Sequence, residues 1–214
     1  MANTFYWNSE KTPESINRAL KTLSVRYPQL KGCCGDYELV FERNSEDSVC
    51  AVKQDGSKYI ISGSKDNMIL RMVGAVLSGV IPEQADYCPF NMFGVMIDCS
   101  RNAVMTVDYM KSYLDRLAIL GYNMVMLYTE ETYKIDGEPF FGLMRGAYTE
   151  EEIRELDEYA RSLGIEMIPC IQTLAHLGQI FRWSHYNEIK DCDGVLLVDE
   201  QKTYDLIEKM IAAW

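Results

Sequence analysis

Three short stretches concentrate side chains that can do chemistry. Asp98-Cys99-Ser100-Arg101 sets a carboxylate three residues from a guanidinium, Thr129-Glu130-Glu131 offers two adjacent carboxylates, and Gln172 is followed by His176. A carboxylate accepts hydrogen bonds or moves a proton, and arginine offers a rigid fork of donors. Histidine changes charge near neutral pH. Each also has a plain structural use. Arg101 can pair with Asp98 or cap a helix, Glu130 and Glu131 can open a solvated loop, and His176 can be a satisfied, partly buried histidine. Shared position is what sets them apart, because each stretch directly follows an apolar run. The opposite turns, Gly121-Tyr122-Asn123 and Gly164-Ile165-Glu166, are bland.

Two long segments extend from these stretches. Residues 130–148 contain Tyr133, Phe140, Phe141 and Arg145, and residues 172–194 contain Phe181, Arg182, Trp183, His185 and Tyr186. Structureless loops of such length in a compact domain are usually functional. Aromatic faces beside arginine and carboxylates suit a sugar, whose ring stacks while its hydroxyls bond polar groups. Some of these rings must also anchor their loops. Asp191-Cys192-Asp193-Gly194 has one corner of a calcium loop but lacks the other ligands.

The elements that must position these groups fall in two regions. In the first, 1–87, Thr12 and Pro13 read as a helix start with Ile16, Ala19, Leu20 and Leu23 on one face. Short strands are expected near Tyr37–Glu42, Val49–Lys53 and Lys58–Ile61, with Asp55-Gly56 as a tight turn. Ser64 is the expected cap of a second helix. This is a small α+β accessory domain without a concentration of titratable groups. Residues 81–90, with two prolines, read as a linker. From 91 to 214 the pattern becomes strand–helix three times over. Phe93–Asp98, Asn123–Thr129 and Ile165–Ile171 are apolar throughout, and the intervening helices carry Met110, Leu114 and Leu117, then Ile153, Leu156, Ala160 and Leu163. Thr149 and Glu152 form a capping box, and the last helix carries Ile207, Met210, Ile211 and Trp214. Strands buried on both faces and joined by helices imply a parallel α/β sheet, either a (β/α)₈ barrel or an open doubly wound sheet. No glycine-rich phosphate loop follows any strand, which disfavours a nucleotide-binding open sheet. In a barrel the three polar stretches share the C-terminal rim, where active sites lie.

The net charge of −11, with no basic cluster, makes nucleic acid and anionic membrane surfaces poor partners. Seven cysteines without regular spacing argue against a disulfide framework, and no CxxC points to zinc, so no cofactor is expected. No apolar run is long enough to span a bilayer and no leader pattern opens the chain, from which a cytoplasmic location is expected.

The second region resembles glycoside hydrolase family 20. Gly94-Val-Met-Ile-Asp98-Cys-Ser-Arg101 resembles its first-strand pattern of a glycine followed by D-x-x-R, and Pro169-Cys-Ile-Gln172-Thr-Leu-Ala-His176 resembles P-E-I-D-x-P-G-H. Cys170, Gln172, Leu174 and Ala175 depart from the latter. Asn123 to Glu130 resembles N-x-L followed by H-x-x-D, without the histidine, one residue shorter, and with glutamate for aspartate; Glu130 is matched ahead of Glu131. The resemblance implies a small α+β domain followed by the first three βα units of a truncated (β/α)₈ barrel. It also implies an exo-acting β-N-acetylhexosaminidase, in which the substrate's acetamido oxygen attacks the anomeric carbon. Arg101, with Asp98 and Trp183, is then substrate-binding, while Glu130 and His176 form a supporting chain to the acid. The family's Asp-Glu pair belongs to an H-x-G-x-D-E segment that these 214 residues do not contain. The expectations are therefore a fragment inactive by itself, self-associating through open sheet edges, with a non-catalytic carbohydrate-binding protein or another barrel glycosidase as alternatives.

Overall fold

A computed structural model describes residues 3–214. The chain packs as two compact units. One runs up to Val95 and takes in Asp108–Met124 and Glu158–Glu166; the other holds Met96–Val107, Val125–Asp157 and Met167–Trp214.

In the first unit, β1 (Phe5–Trp7), β2 (Tyr37–Arg43), β3 (Val49–Asp55), β4 (Lys58–Gly63) and β5 (Asp86–Tyr87) form a sheet in the order β1-β2-β4-β3-β5. The β1–β2 and β2–β4 pairs are parallel, and β3 is antiparallel to both β4 and β5. Three of these strands lie where the sequence predicts them. β1 is too short to show a period, and β5 pairs inside the stretch expected to be a linker. Helix α1 (Glu14–Ser24) buries Ile16, Ala19, Leu20 and Leu23, as its spacing demands. Neither expected side-chain cap forms. Pro13 occupies the cap position of α1 while the Thr12 hydroxyl bonds Asn8 O, and Lys65 occupies that of α2 (Asp66–Ser78) while Ser64 Oγ accepts from Ser48 N.

Helix α3 (Val107–Ile119), expected with the second region, lies in the first unit from Asp108 onward. Gly74 of α2 meets it closely, since a Cβ there would stand 2.1 Å from Ile119 O. Asn67 Nδ2 donates to Gly121 O at 2.8 Å, and Gly121, at φ +86°, ends α3 in the left-handed conformation that glycine tolerates. Replacing Gly74 with alanine is expected to lower the thermal midpoint by several degrees, a few kcal/mol of overpacking. Differential scanning calorimetry reads this directly; an unchanged midpoint contradicts the packing.

The second unit holds the body of a three-stranded sheet, β6 (Gly94–Asp98), β7 (Met124–Thr129) and β8 (Glu166–Ile171), ordered β6-β7-β8. Asn123 N bonds Phe93 O at the start of the β6–β7 pair and Cys99 N bonds Tyr128 O at its end. Glu166 N to Asn123 O and Gln172 N to Thr129 O do the same for β7 and β8. Starts meet starts and ends meet ends, so the three strands are parallel. The expectation of strands buried on both faces holds only in part for central β7: Val125, Leu127 and Thr129 on one face are fully covered, while on the other Tyr128 is buried and Met124 and Met126 are half-buried, and it does not hold for the edges. Met96 of β6 is 57% exposed, and no residue of β8 is fully buried. An edge strand has one neighbour, so its faces are covered less.

Helix α4 (Glu150–Ser162) begins with the predicted capping box: Thr149 N donates to Glu152 Oε2 at 2.9 Å and Glu152 N to Thr149 Oγ1 at 3.2 Å. Helix α5 (Gln201–Ala212) starts at Glu200, whose side chain accepts from Lys202 N and places a negative charge at the helix N-terminus. Its buried stripe is Thr203, Leu206 and Met210; Ile211 faces solvent. The segment 172–194 is not structureless. It contains 3₁₀ turns at Ile180–Arg182 and Ser184–Ile189. Among the described residues no helix is long and apolar enough to cross a membrane.

Candidate functional site

Two of the three polar stretches, Asp98–Arg101 and Thr129–Glu131, meet at the C-terminal ends of β6 and β7. Past the end of β6, Asp98 Oδ1 accepts the backbone N–H groups of Ser100 and Arg101, each at 3.0 Å. This aspartate turn ends the strand and sends Arg101 outward, 64% exposed. The Arg101 N–H, ahead of the Ser100 N–H and the Arg101 charge, holds the Asp98 carboxyl below the usual range against the effect of burial.

Arg101 is oriented from several sides. Its Nε lies 3.5 Å from Asp98 Oδ2 and 4.0 Å from Glu130 Oε1, and its guanidinium sits 4.9 Å above the centre of the Tyr128 ring. The Tyr128 hydroxyl donates to Glu130 Oε1 at 3.1 Å. Ser100 joins the two strand ends, because Glu130 N donates to its Oγ at 2.7 Å and its Oγ lies 3.4 Å from Thr132 Oγ1. The result is a solvent-facing cation between two acceptors, on an aromatic face. Such a group can donate to neighbouring hydroxyls while the carboxylates accept from them.

Directly behind it is a buried pair. The Glu131 side chain is 2% exposed, and Arg145 Nη1 stands 3.0 Å from its Oε1. The two are close as charges but not aligned for a hydrogen bond, and neither Glu131 oxygen has a hydrogen-bond partner among the described residues. Burial raises the Glu131 carboxyl pKa, and the Arg145 charge opposes that. Arg145 Nη2 donates to Ser100 O, so the pair also braces the turn that carries Arg101. Gly142, at φ +65°, lets the chain pass over Glu131: a Cβ there would be 2.3 Å from Glu131 O. Gly142→Ala is expected to cost at least about 2 kcal/mol in urea unfolding, from the left-handed backbone and the clash together. A change under a few tenths contradicts this geometry.

His176 is not brought into this cluster. It is exposed, with a left-handed backbone at φ +63°, and among the described residues no hydrogen bond, ion pair or ring contact engages its side chain. Glu130 is turned instead toward Tyr128 and Arg101, so the expected Glu130–His176 contact is not formed. Trp183 is half-buried in the second long segment, with its ring 5.8 Å from that of Phe140. The two long segments are joined by Glu138, whose carboxylate takes Lys209 Nζ at 2.7 Å, Tyr186 Oη at 3.1 Å and His185 Nε2 at 3.5 Å. Sequence reasoning passed over Tyr128, Ser100 and Glu138. Tyr128 reads as one more core residue of an apolar strand, and Ser100 sits inside the D-x-x-R motif as one of its unspecified positions. No group of histidine, cysteine or acidic residues that could hold a metal occurs among the described residues.

Parallel strands alternating with helices, with an arginine–carboxylate cluster at their C-terminal ends, define an α/β protein of the class whose strand-end loops carry a polar site. Residues 90–210 match the family model described as glycosyl hydrolase family 20, catalytic domain, and the chain belongs to that family. Among curated proteins it is 24% identical over 151 residues to beta-hexosaminidase 1 of Coccidioides posadasii, covering 58% of this chain and 25% of that one. Among solved structures, a Streptomyces plicatus beta-hexosaminidase variant in complex with the product GlcNAc superposes with a TM-score of 0.73 at 20% identity, covering 99% of this chain and 52% of that one. The GH20 exo beta-N-acetylglucosaminidase of Vibrio harveyi in complex with N-acetylglucosamine also gives 0.73, at 16% identity, covering 98% and 40%. The chain thus spans between a quarter and about half the length of these relatives.

Proposed function

We propose that this chain supplies the opening βα units of a (β/α)₈ barrel in an exo-acting β-N-acetylhexosaminidase, and that its rim holds the terminal N-acetylhexosamine. The family assignment and the arginine cluster support this reading. The observation that carries it is Arg101, exposed yet held by Asp98, Glu130 and the Tyr128 ring at the C-terminal strand ends. In this reading Arg101 donates to ring hydroxyls, Asp98 and Glu130 keep it aimed, and Trp183 offers a stacking face. The reaction is substrate-assisted hydrolysis with retention, in which the acetamido oxygen of the substrate is the nucleophile. The residues of this chain bind and orient; the H-x-G-x-D-E segment that carries the acid in the family has no match among these 214 residues. The site is proposed to act in the cytoplasm.

Titrating the purified chain with N-acetylglucosamine under amide NMR tests the binding role. Shifts confined to Asp98–Arg101, Tyr128–Glu130 and Trp183 are expected, and none at saturating sugar sinks the proposal. His176 is proposed to support the acid once substrate is present, because apo geometry often loosens such contacts. His176→Ala, placed in an enzyme competent for turnover, is expected to lower kcat severalfold with a smaller change in KM. Unchanged kcat removes His176 from the machinery.

A further inference from the structure

We propose that the cavity between residues 140–145 and 179–183 is a subsite for a carboxylated sugar, a uronate, adjoining the N-acetylhexosamine site. This inference rests on the reading of the rim as a sugar site and gives it a second specificity.

The cavity measures about 140 Å³ and is walled by Phe140 and Trp183 together with Glu131, Arg145, Gln179 and Arg182. That is room for one sugar ring, well below the roughly 300–1,000 Å³ of drug-sized sites. The two rings meet at 35° with centres 5.8 Å apart, forming an apolar corner for a pyranose face. Gln179 is part of the same wall, with its Oε1 buried behind it and without a hydrogen-bond partner. At the mouth Met144 is 87% exposed and holds a left-handed backbone at φ +62°.

Charge sets the ligand class. The walls carry two guanidinium groups and one carboxylate, so the cavity is cationic by one even with Glu131 ionised, in a chain of net −11. Arg145 is committed to Glu131 and to Ser100 O. Arg182 is not: it is exposed and has no ion-pair partner among the described residues. It lies near enough to Glu131 for its charge to oppose the effect of burial there. A guanidinium without an ion-pair partner, in the wall of a cavity that two aromatic rings also line, fits a planar carboxylate attached to a sugar ring, which its donor fork bonds in bidentate fashion.

Methyl β-D-glucuronide and methyl β-D-glucoside, which differ only at the carboxylate carbon, separate the possibilities. The readout is the indole N–H resonance of Trp183 in the purified chain, assigned with Trp183→Phe. The glucuronide is expected to bind about tenfold tighter than the glucoside, the worth of one charge-assisted contact. Arg182→Gln, an exposed substitution that leaves the circular dichroism unchanged, is expected to erase the difference. Equal affinity for the two glycosides, discrimination that survives Arg182→Gln, or the same shift with acetate alone overturns the proposal. A glucuronide response at Trp183 without any N-acetylglucosamine response at Arg101 sinks the hexosaminidase reading and keeps this subsite. The reverse sinks the subsite alone.

Discussion

Arg101→Ala is expected to cut the affinity of this chain for N-acetylglucosamine by between about tenfold and a hundredfold, the worth of hydrogen bonds from a charged donor. Calorimetric titration of the two proteins measures it. The loss should be a binding loss alone. The Arg101 side chain is 64% exposed, and the turn beneath it is built from backbone N–H groups on Asp98, which alanine retains. Arg101→Lys should recover little. An ammonium keeps the charge but loses the planar fork that lies over Tyr128 and reaches toward both Asp98 and Glu130. Asp98→Ala should be worse for stability than for charge, because two backbone donors lose their acceptor. If Arg101→Ala binds sugar as well as the parent, the rim is not where the sugar sits.

Arg145→Ala is expected to be the most destabilising single change in the second unit, by about 3–5 kcal/mol near neutral pH, because it strands a buried carboxylate. Glu131 is almost fully covered, and Arg145 is its nearest opposite charge, at 3.0 Å. The deficit should depend on pH with a definite sign. Burial raises the Glu131 carboxyl, so the folded chain binds its proton more readily than the unfolded chain. That contribution is complete below the unfolded value and is lost as pH rises through the folded one. Removing Arg145 raises the folded value further, so the deficit is small at about pH 4 and grows toward about pH 8. Urea unfolding across that range reads it. Adding Glu131→Gln to Arg145→Ala should restore much of the loss at neutral pH, since the stranded charge is gone. A deficit independent of pH contradicts this account.

These two changes probe different layers of one construction. Arg101 faces solvent and offers hydrogen bonds, whereas Arg145 reaches the same turn from beneath through Ser100 O. The proposed sugar site needs both, since an exposed cation is selective only if its carrier is rigid.

Much of this arrangement was legible in the residues. The parallel strands, the capping box at Thr149 and Glu152, the glycine stop at Gly121 and the polar exits after β6 and β7 all follow from local chemistry. Period, caps and turns act over a few residues, and a linear pattern records them. What the chain alone did not disclose depends on partners far apart in sequence. Strands β1 and β5 exist because β2 and β3 offer them an edge, and two or three residues carry no period of their own. The packing of α3 in the first unit rests on Gly74 meeting Ile119 O, 45 positions away. Tyr128 became part of the rim because Arg101, 27 residues earlier, lies on its ring, and His176, in a left-handed turn past β8, stands outside it. Residue type determined which groups could hold a sugar; the close approach of separate strand ends, which only tertiary packing sets, decided which of them stand together.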